Sequence, residues 1–268
     1  MKNSSSTPSP DEMFSLGENA ASAGNQDEAK KWFLLAAEGG NSQAMVSLGL
    51  SLMMEQKMDE AKNWLGLAIQ LGNTFAMTTL GGALKIEGDL AAAKKWWQLA
   101  AKSDEDMAMY ELGQMAFESG DLKEAEKWLG LAANLGNTDA MYDLGAGAAM
   151  AGNQKEAKKW YKRAADAGDA GGMYGLGVLA QESGDLKEAK KWYKLAAEAG
   201  DVNAMYNLGI QAVRVGDLKE GKKWLESAVA AGDPAAMHAL GAVLEQQGEA
   251  RMAKEYYKLA WAHGFTED

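Results

Sequence analysis

Apolar and polar positions along the chain fall into blocks with helical spacing, and the blocks return every 32 residues. Repeat five, residues 137–168, shows the pattern. Its first half is apolar at Ala140, Met141, Leu144 and Ala148, with Gly145 beside them; its second half is apolar at Ala157, Trp160, Tyr161 and Ala164. Steps of three and four place each set on one helix face, whereas a half-buried strand would alternate with a period of two. Lys158, Lys159, Lys162 and Arg163 lie on the opposite face of the second block and read as a solvated surface. Each repeat is therefore expected to form two helices, here about 137–151 and 153–167. Gly152 supplies the left-handed residue that ends the first, and Asn153 caps the second. Asn153 with Glu156 is a capping-box pair, and the pairing recurs at Asn25/Glu28, Asp121/Glu124, Asp185/Glu188 and Asp217/Glu220.

Three residue types keep the same step. Leu-Gly stands at Leu16-Gly17, Leu48-Gly49, Leu80-Gly81, Leu112-Gly113, Leu144-Gly145, Leu176-Gly177, Leu208-Gly209 and Leu240-Gly241. Tryptophan recurs from Trp32 to Trp224, with Tyr256 in the eighth place, and methionine from Met13 to Met237. The repeats tile as 9–40, 41–72, 73–104, 105–136, 137–168, 169–200, 201–232 and 233–264. No single unit can bury its apolar face alone, so the units must stack. The predicted fold is an all-α solenoid of eight helix-turn-helix repeats, a single repeat domain over 11–268. Gly145, Ala157 and Ala164 are small where helix axes approach. Trp160 is expected to fill the space between repeats, so that its truncation to alanine costs about 3–5 kcal/mol.

Some segments break the pattern. Residues 1–10 are rich in Ser and Pro and read as a disordered tail whose removal leaves the melt unaltered. Gln56-Lys57 replaces the usual Gly-Asp or Gly-Asn, which predicts a distorted turn, and Ser103-Asp104-Glu105-Asp106 replaces the usual junction before repeat four. Trp261 stands where other repeats have Ala165 and Ala197; a large ring there is expected to cap the open end of the core and to favour a monomer.

Composition narrows the chemistry. A net charge of −11 sets the 268-residue chain against phosphate backbones, so nucleic acid is not an expected partner and a basic peptide or protein face is. The absence of cysteine removes disulfides, thiol catalysis and thiolate metal sites. No apolar run is long enough for a membrane span and the N-terminus lacks a signal peptide's apolar stretch, so a cytoplasmic protein is the expectation. His238 and His263 are the two imidazoles, and no HExxH, GxSxG or Walker-type loop occurs. No enzyme activity, metal or cofactor is expected. The one enzyme class with a comparable build, a helical-toroid glycosidase, needs two opposed carboxylates. Glu118 and Glu182 share a repeat position, which explains their equivalence without acid–base pairing.

Repeat six carries Met173-Tyr174-Gly175-Leu176-Gly177, Gly184-Asp185, Glu188-Ala189-Lys190-Lys191-Trp192-Tyr193, Ala196-Ala197 and Gly200. In this order the residues resemble the Sel-one-like repeat family, relatives of the tetratricopeptide repeats, over about residues 9–264. The resemblance implies a right-handed superhelix, a concave face lined by first helices, and adaptor or scaffold work. The turn inside each repeat is the short Gly-Asp or Gly-Asn of tetratricopeptide repeats instead of the family's longer glycine-rich turn. Pitch and groove width therefore do not carry over.

Specificity should lie where repeats vary on the groove side, which by analogy carries Asp139, Tyr142, Ala146, Ala149 and Met150 in repeat five. One position reads Phe14, Val46, Thr78, Tyr110, Tyr142, Tyr174, Tyr206 and His238 along the array. Tyr110, Tyr142, Tyr174 and Tyr206 would form a ladder of large, amphipathic contacts, with His238 as a further groove residue. A second reading has the rings pack against the next repeat with only their hydroxyls in solvent. The same face carries Lys85, Glu118, Gln181, Glu182, Arg214, Glu245 and Gln246, and near its start Leu50, Met53, Met54, Phe75 and Ile86. The expected function is non-catalytic binding of a protein or peptide. Two forms are open: an extended peptide or helix held inside the cell, or one folded partner inhibited, as an immunity protein or secreted effector would do. An array assembling end to end is a third reading.

Overall fold

Helices begin and end where glycine and the residue after it dictate. The computed structural model describes residues 7–266. Among them are sixteen helices and no strand, so the fold is an all-α helical-repeat solenoid. The chain divides into two compact units, Met1–Asn137 and Thr138–Asp268, with four repeats in each. The first unit holds α1 (Pro10–Ser22), α2 (Gln26–Glu38), α3 (Ser42–Met54), α4 (Met58–Gln70), α5 (Thr74–Ile86), α6 (Leu90–Ala101), α7 (Asp106–Glu118) and α8 (Leu122–Leu135). The second holds α9 (Thr138–Met150), α10 (Gln154–Asp166), α11 (Ala170–Glu182), α12 (Leu186–Glu198), α13 (Val202–Arg214), α14 (Leu218–Ala230), α15 (Pro234–Gln246) and α16 (Ala250–Ala262). Odd-numbered helices are the first of each repeat, and each packs along the even-numbered helix that follows it.

At the turn inside repeat five, Gly152 has φ 75° and lets the Asn153 N–H donate back to Ala148 O at 2.8 Å. Asn153 Oδ1 then accepts from the Glu156 N–H at 3.3 Å. Junctions between repeats use the same device: Gly168 has φ 90°, and Asp169 Oδ1 accepts from the Gly172 N–H at 2.6 Å. Gln56 and Asp104 adopt φ 62° and 56°, so both odd turns keep this shape instead of distorting. An L side chain there carries strain that glycine lacks. Gln56→Gly and Asp104→Gly are each expected to raise stability by about 0.5–1 kcal/mol, read from the shift in urea midpoint.

The capping pairs turn out differently from the expected box. Asp121, Asn153, Asp185 and Asp217 do cap their helices. Glu124, Glu188 and Glu220, however, accept from the indole N–H four residues on, at 2.6, 2.8 and 2.7 Å from Trp128, Trp192 and Trp224. A reciprocal box forms at α1, where Ser9 and Glu12 bond each other's backbone N–H. Residues 1–6 of the expected tail lie outside the described residues. Ser9 and Pro10 belong to the start of α1, so removal through residue 10 deletes a cap and is no longer expected to leave the melt unaltered.

The repeating tryptophan is not the core filler. Trp160 and its equivalents are half-buried, and Trp192 and Trp224 lean on the core of the repeat before them. Lysine ammonium groups lie over Trp128, Trp160, Trp192 and Trp224 at 5.0–5.6 Å from the ring centres. The filler is the next residue in the chain: Phe33, Leu65, Trp97, Leu129, Tyr161, Tyr193, Leu225 and Tyr257. Each sits over the glycine of Leu-Gly sixteen residues earlier. A Cβ on Gly145 would come within 2.6 Å of the Tyr161 ring, and one on Gly177 within 2.5 Å of the Tyr193 ring. Glycine recurs with leucine because a large side chain occupies the place of its Cβ. Tyr161 also meets the next repeat at Gly175, where a Cβ would lie 2.7 Å from the ring.

Candidate binding surface of the first helices

The variable position of the first helix is set by that filler. Phe14, Tyr142 and Tyr174 pack their rings on Phe33, Tyr161 and Tyr193 of the same repeat, with centroids 5.7, 5.6 and 5.7 Å apart. Where the filler is Trp97, the variable position is Thr78, whose carbonyl accepts from the indole N–H at 3.0 Å. Val46 and Thr78 are buried and present nothing to solvent. Thr78 Oγ1 is the one buried side-chain polar atom among the described residues that finds no partner.

In the second unit, Tyr142, Tyr174 and Tyr206 are half-buried on α9, α11 and α13, one repeat apart. The Tyr142 ring lies against Gly171 at the start of α11, Asn207 Nδ2 donates to Tyr174 Oη at 3.5 Å, and Gln211 Nε2 bridges to Gln181 Oε1 at 3.0 Å. Both sequence readings thus apply to these rings, which pack within and between repeats yet keep part of their surface in water. Tyr206 rests on the core beneath α14 and α15. His238 stacks on Phe265, 4.3 Å away and 15° from parallel, and its other neighbour is Tyr257 at 5.0 Å. Sequence reasoning missed Phe265, which covers this imidazole after α16 ends. Glu182 and Arg214 are exposed at the C-terminal ends of α11 and α13. Met150 stands 88% exposed at the end of α9.

Three candidates lie in the first unit. Tyr110 is half-buried on α7, and its hydroxyl accepts from Gln114 Nε2 at 2.7 Å. Lys85 lies between Glu111 and Glu118, 3.5 Å from each, so these candidates bond one another. Phe75, Met54 and Ile86 are exposed, Met54 by 88%.

Electrostatics divide the second unit by face. The first helices and their aspartate caps hold seven carboxylates against one base, Arg214. The second helices and their caps hold fifteen lysines and arginines against ten carboxylates, so that face is basic on balance. Burial, with Asp143, Asp169 and Asp201 nearby, pushes the Tyr142 phenol above its ordinary value; burial does the same for Tyr174. Burial first, then the neighbouring phenol (Tyr142 for Tyr161, Tyr174 for Tyr193) and Glu182, raise Tyr161 and Tyr193 to about 12. Asp201 is raised by burial against the opposing pull of the Ala204 and Asn203 N–H groups, with Asp169 adding to the rise. The aspartate caps were legible as caps; their alignment beside the tyrosines was not. Among the described residues no three His, Asp or Glu gather as a metal site, and no helix is long and apolar enough to cross a membrane. The exposed Trp261 ring, 57% in solvent, does not seal the core as expected.

Comparison with known proteins places this architecture. The Sel1 repeat family matches residues 12–41, 42–73, 79–105, 106–137, 138–169, 170–201 and 202–233. No curated protein matches the chain. Among solved structures, c5321, a protective antigen of uropathogenic Escherichia coli strains with an SLR fold, is similar at 26% identity and a TM-score of 0.65. The match covers 94% of this chain and 61% of the antigen, so the chain spans about three fifths of that protein's length. A Sel1 repeat protein from Oxalobacter formigenes is similar at 22% identity and a TM-score of 0.67, over 96% of this chain and 84% of that one. Yeast Tom70 shares the fold at 17% identity and a TM-score of 0.65, over 99% of this chain and 63% of its own. With seven family repeats in register over most of its length, the chain belongs to the Sel1 repeat family.

Proposed function

We propose that this chain is a non-catalytic scaffold whose first-helix face binds a protein or peptide partner. The observation that supports it most directly is the row of half-buried tyrosines at one position of successive first helices, Tyr142, Tyr174 and Tyr206. Their rings are held by packing, and part of each side chain's surface stays in water. Such side chains give large contact area at low cost in rotamer entropy. The repeat family to which the chain belongs generally mediates protein–protein interaction. The acidic balance of the same face in the second unit favours a basic partner surface and disfavours nucleic acid. In this reading the protein is cytoplasmic and monomeric; Glu182, Arg214 and His238 flank the contact in the second unit, and Lys85, Tyr110 and Glu118 are candidate contacts of the first unit by itself.

The test is quantitative capture from the native cell with the wild-type chain and the double variant Glu182→Lys/Arg214→Glu. Both side chains are exposed, so the variant should melt like the wild type. A partner recovered in stoichiometric amount by the wild type, and at least about tenfold weaker on the variant, is the expected result. Equal recovery by both chains, or no stoichiometric partner, overturns the reading.

A further inference from the structure

We propose that the face formed by α9, α11 and α13 takes an extended segment of another protein in which arginine or lysine recurs at every third residue, one cation per repeat. The proposal rests on the protein-binding reading and adds the partner's chemistry and spacing.

Charge sets the occupant. This face and its caps are almost wholly acidic, while the bases of the second unit lie on the second helices. A cationic segment gains on approach to the first face and is repelled by the other. The aromatic row sets the form of the cation. Tyr142 and Tyr174 are braced from below by Tyr161 and Tyr193, so their outer surfaces are in place before anything binds. A Cβ on Gly171 would lie 3.2 Å from both Asp169 Oδ1 and the Tyr142 ring, so this cap carboxylate and this ring are neighbours, and Asp201 is the equivalent cap one repeat on, beside Tyr174. A ring beside a carboxylate suits a guanidinium, which packs on the one and donates to the oxygen that the helix cap leaves open on the other, and an ammonium in weaker form.

Spacing follows from the stack. The Tyr142 ring of α9 lies 3.2 Å from the Cβ position of Gly171 on α11, so these two first helices pack directly and their axes lie about 8–10 Å apart; α11 and α13 are the same pair one repeat on, joined by the Asn207–Tyr174 and Gln211–Gln181 bonds. An extended chain advances about 3.3 Å per residue, so one repeat corresponds to about three residues. A contiguous basic run would place most of its cations between tyrosines.

The experiment uses the full chain and two synthetic peptides of identical composition, capped at both ends. Both carry three arginines in a Gly/Ser background, at every third residue in one and contiguous in the other. Titration calorimetry in dilute salt should show the spaced peptide binding at least about tenfold tighter. Asp169→Asn/Asp201→Asn keeps a capping side chain, as Asn41 and Asn73 do in the first unit, so its melt should be unchanged. It should lose at least about tenfold in affinity for the spaced peptide. Equal affinity for the two peptides, or undiminished binding by the Asn variant, overturns the proposal. If a captured partner is still lost on Glu182→Lys/Arg214→Glu while the peptides are not told apart, the protein-binding reading stands and this one falls.

Discussion

Trp97→Ala is expected to lower the unfolding free energy by about 3–5 kcal/mol, the range for truncating a large core aromatic. The same change at Trp160 should cost about 1–2 kcal/mol, within the ordinary range for a half-buried site. Trp97 is 0% exposed and lies directly over Gly81, where a Cβ would stand 2.6 Å from Cδ1 of its indole. On its other side is Thr78, the smallest residue found at that position in any repeat, and the Thr78 carbonyl takes the indole proton. Alanine would leave a cavity walled by a glycine, a threonine and a carbonyl without its donor. None of these can swing in to fill the space, and the flexible neighbour, Lys85 over the ring, carries a charge that is costly to bury there, so the loss stays within that range. Trp160 leaves no such hole, because Tyr161 beneath it holds the contact with Gly145 and Gly175. Urea denaturation of both variants against wild type decides the matter. Equal losses would mean that the indole of Trp160 is as much a part of the core as that of Trp97.

The contrast also marks how far the sequence could be read. Helix positions, turn glycines and aspartate caps follow from local rules: a left-handed residue, an acceptor for the next N–H, an apolar stripe. Those were legible within a residue or two in repeat five. The assignment of Trp160 to the core failed because periodicity ranks residues by how regularly they recur. The true filler varies from Phe33 to Leu65 to Trp97 to Tyr193, so no single residue type marks its period. A signal was present, since a large residue stands sixteen after each Leu-Gly glycine, but it requires following two positions at once. Glu124, Glu188 and Glu220 misled for a related reason. The glutamate three residues after the cap also stands four residues before tryptophan, and the indole N–H won the carboxylate. The covering of His238 by Phe265 depends on how the chain folds back after its last helix, which no local pattern encodes.

Stability is expected to fall by about 4 kcal/mol between pH 10 and 12 through Tyr161 and Tyr193 alone. Both rings are core fillers, exposed by 7% and 0%, and burial raises both phenols from 10.0 to about 12. The folded chain therefore holds the two phenolic protons more tightly than the unfolded chain. The stability linked to those protons is fully present below pH 10, declines as the unfolded phenols ionise, and is gone once pH passes 12. A shift of two units in one group corresponds to about 2–3 kcal/mol. Lysines also lose charge in this window, so the informative quantity is the difference from Tyr161→Phe/Tyr193→Phe, which keeps the rings and removes the ionisable protons. Phenylalanine is tolerated at this position, since Phe33 occupies it in the first repeat. The wild type should lose stability faster than the variant from pH 10 to 12. Absorbance near the phenolate band should show two tyrosines ionising late, at the unfolding transition. Parallel loss in the two proteins would require that these phenols stay reachable by water and hydroxide in the native state. The glycine-backed rings would then not be the closed interior on which the exposed row above them, Tyr142 and Tyr174, is built.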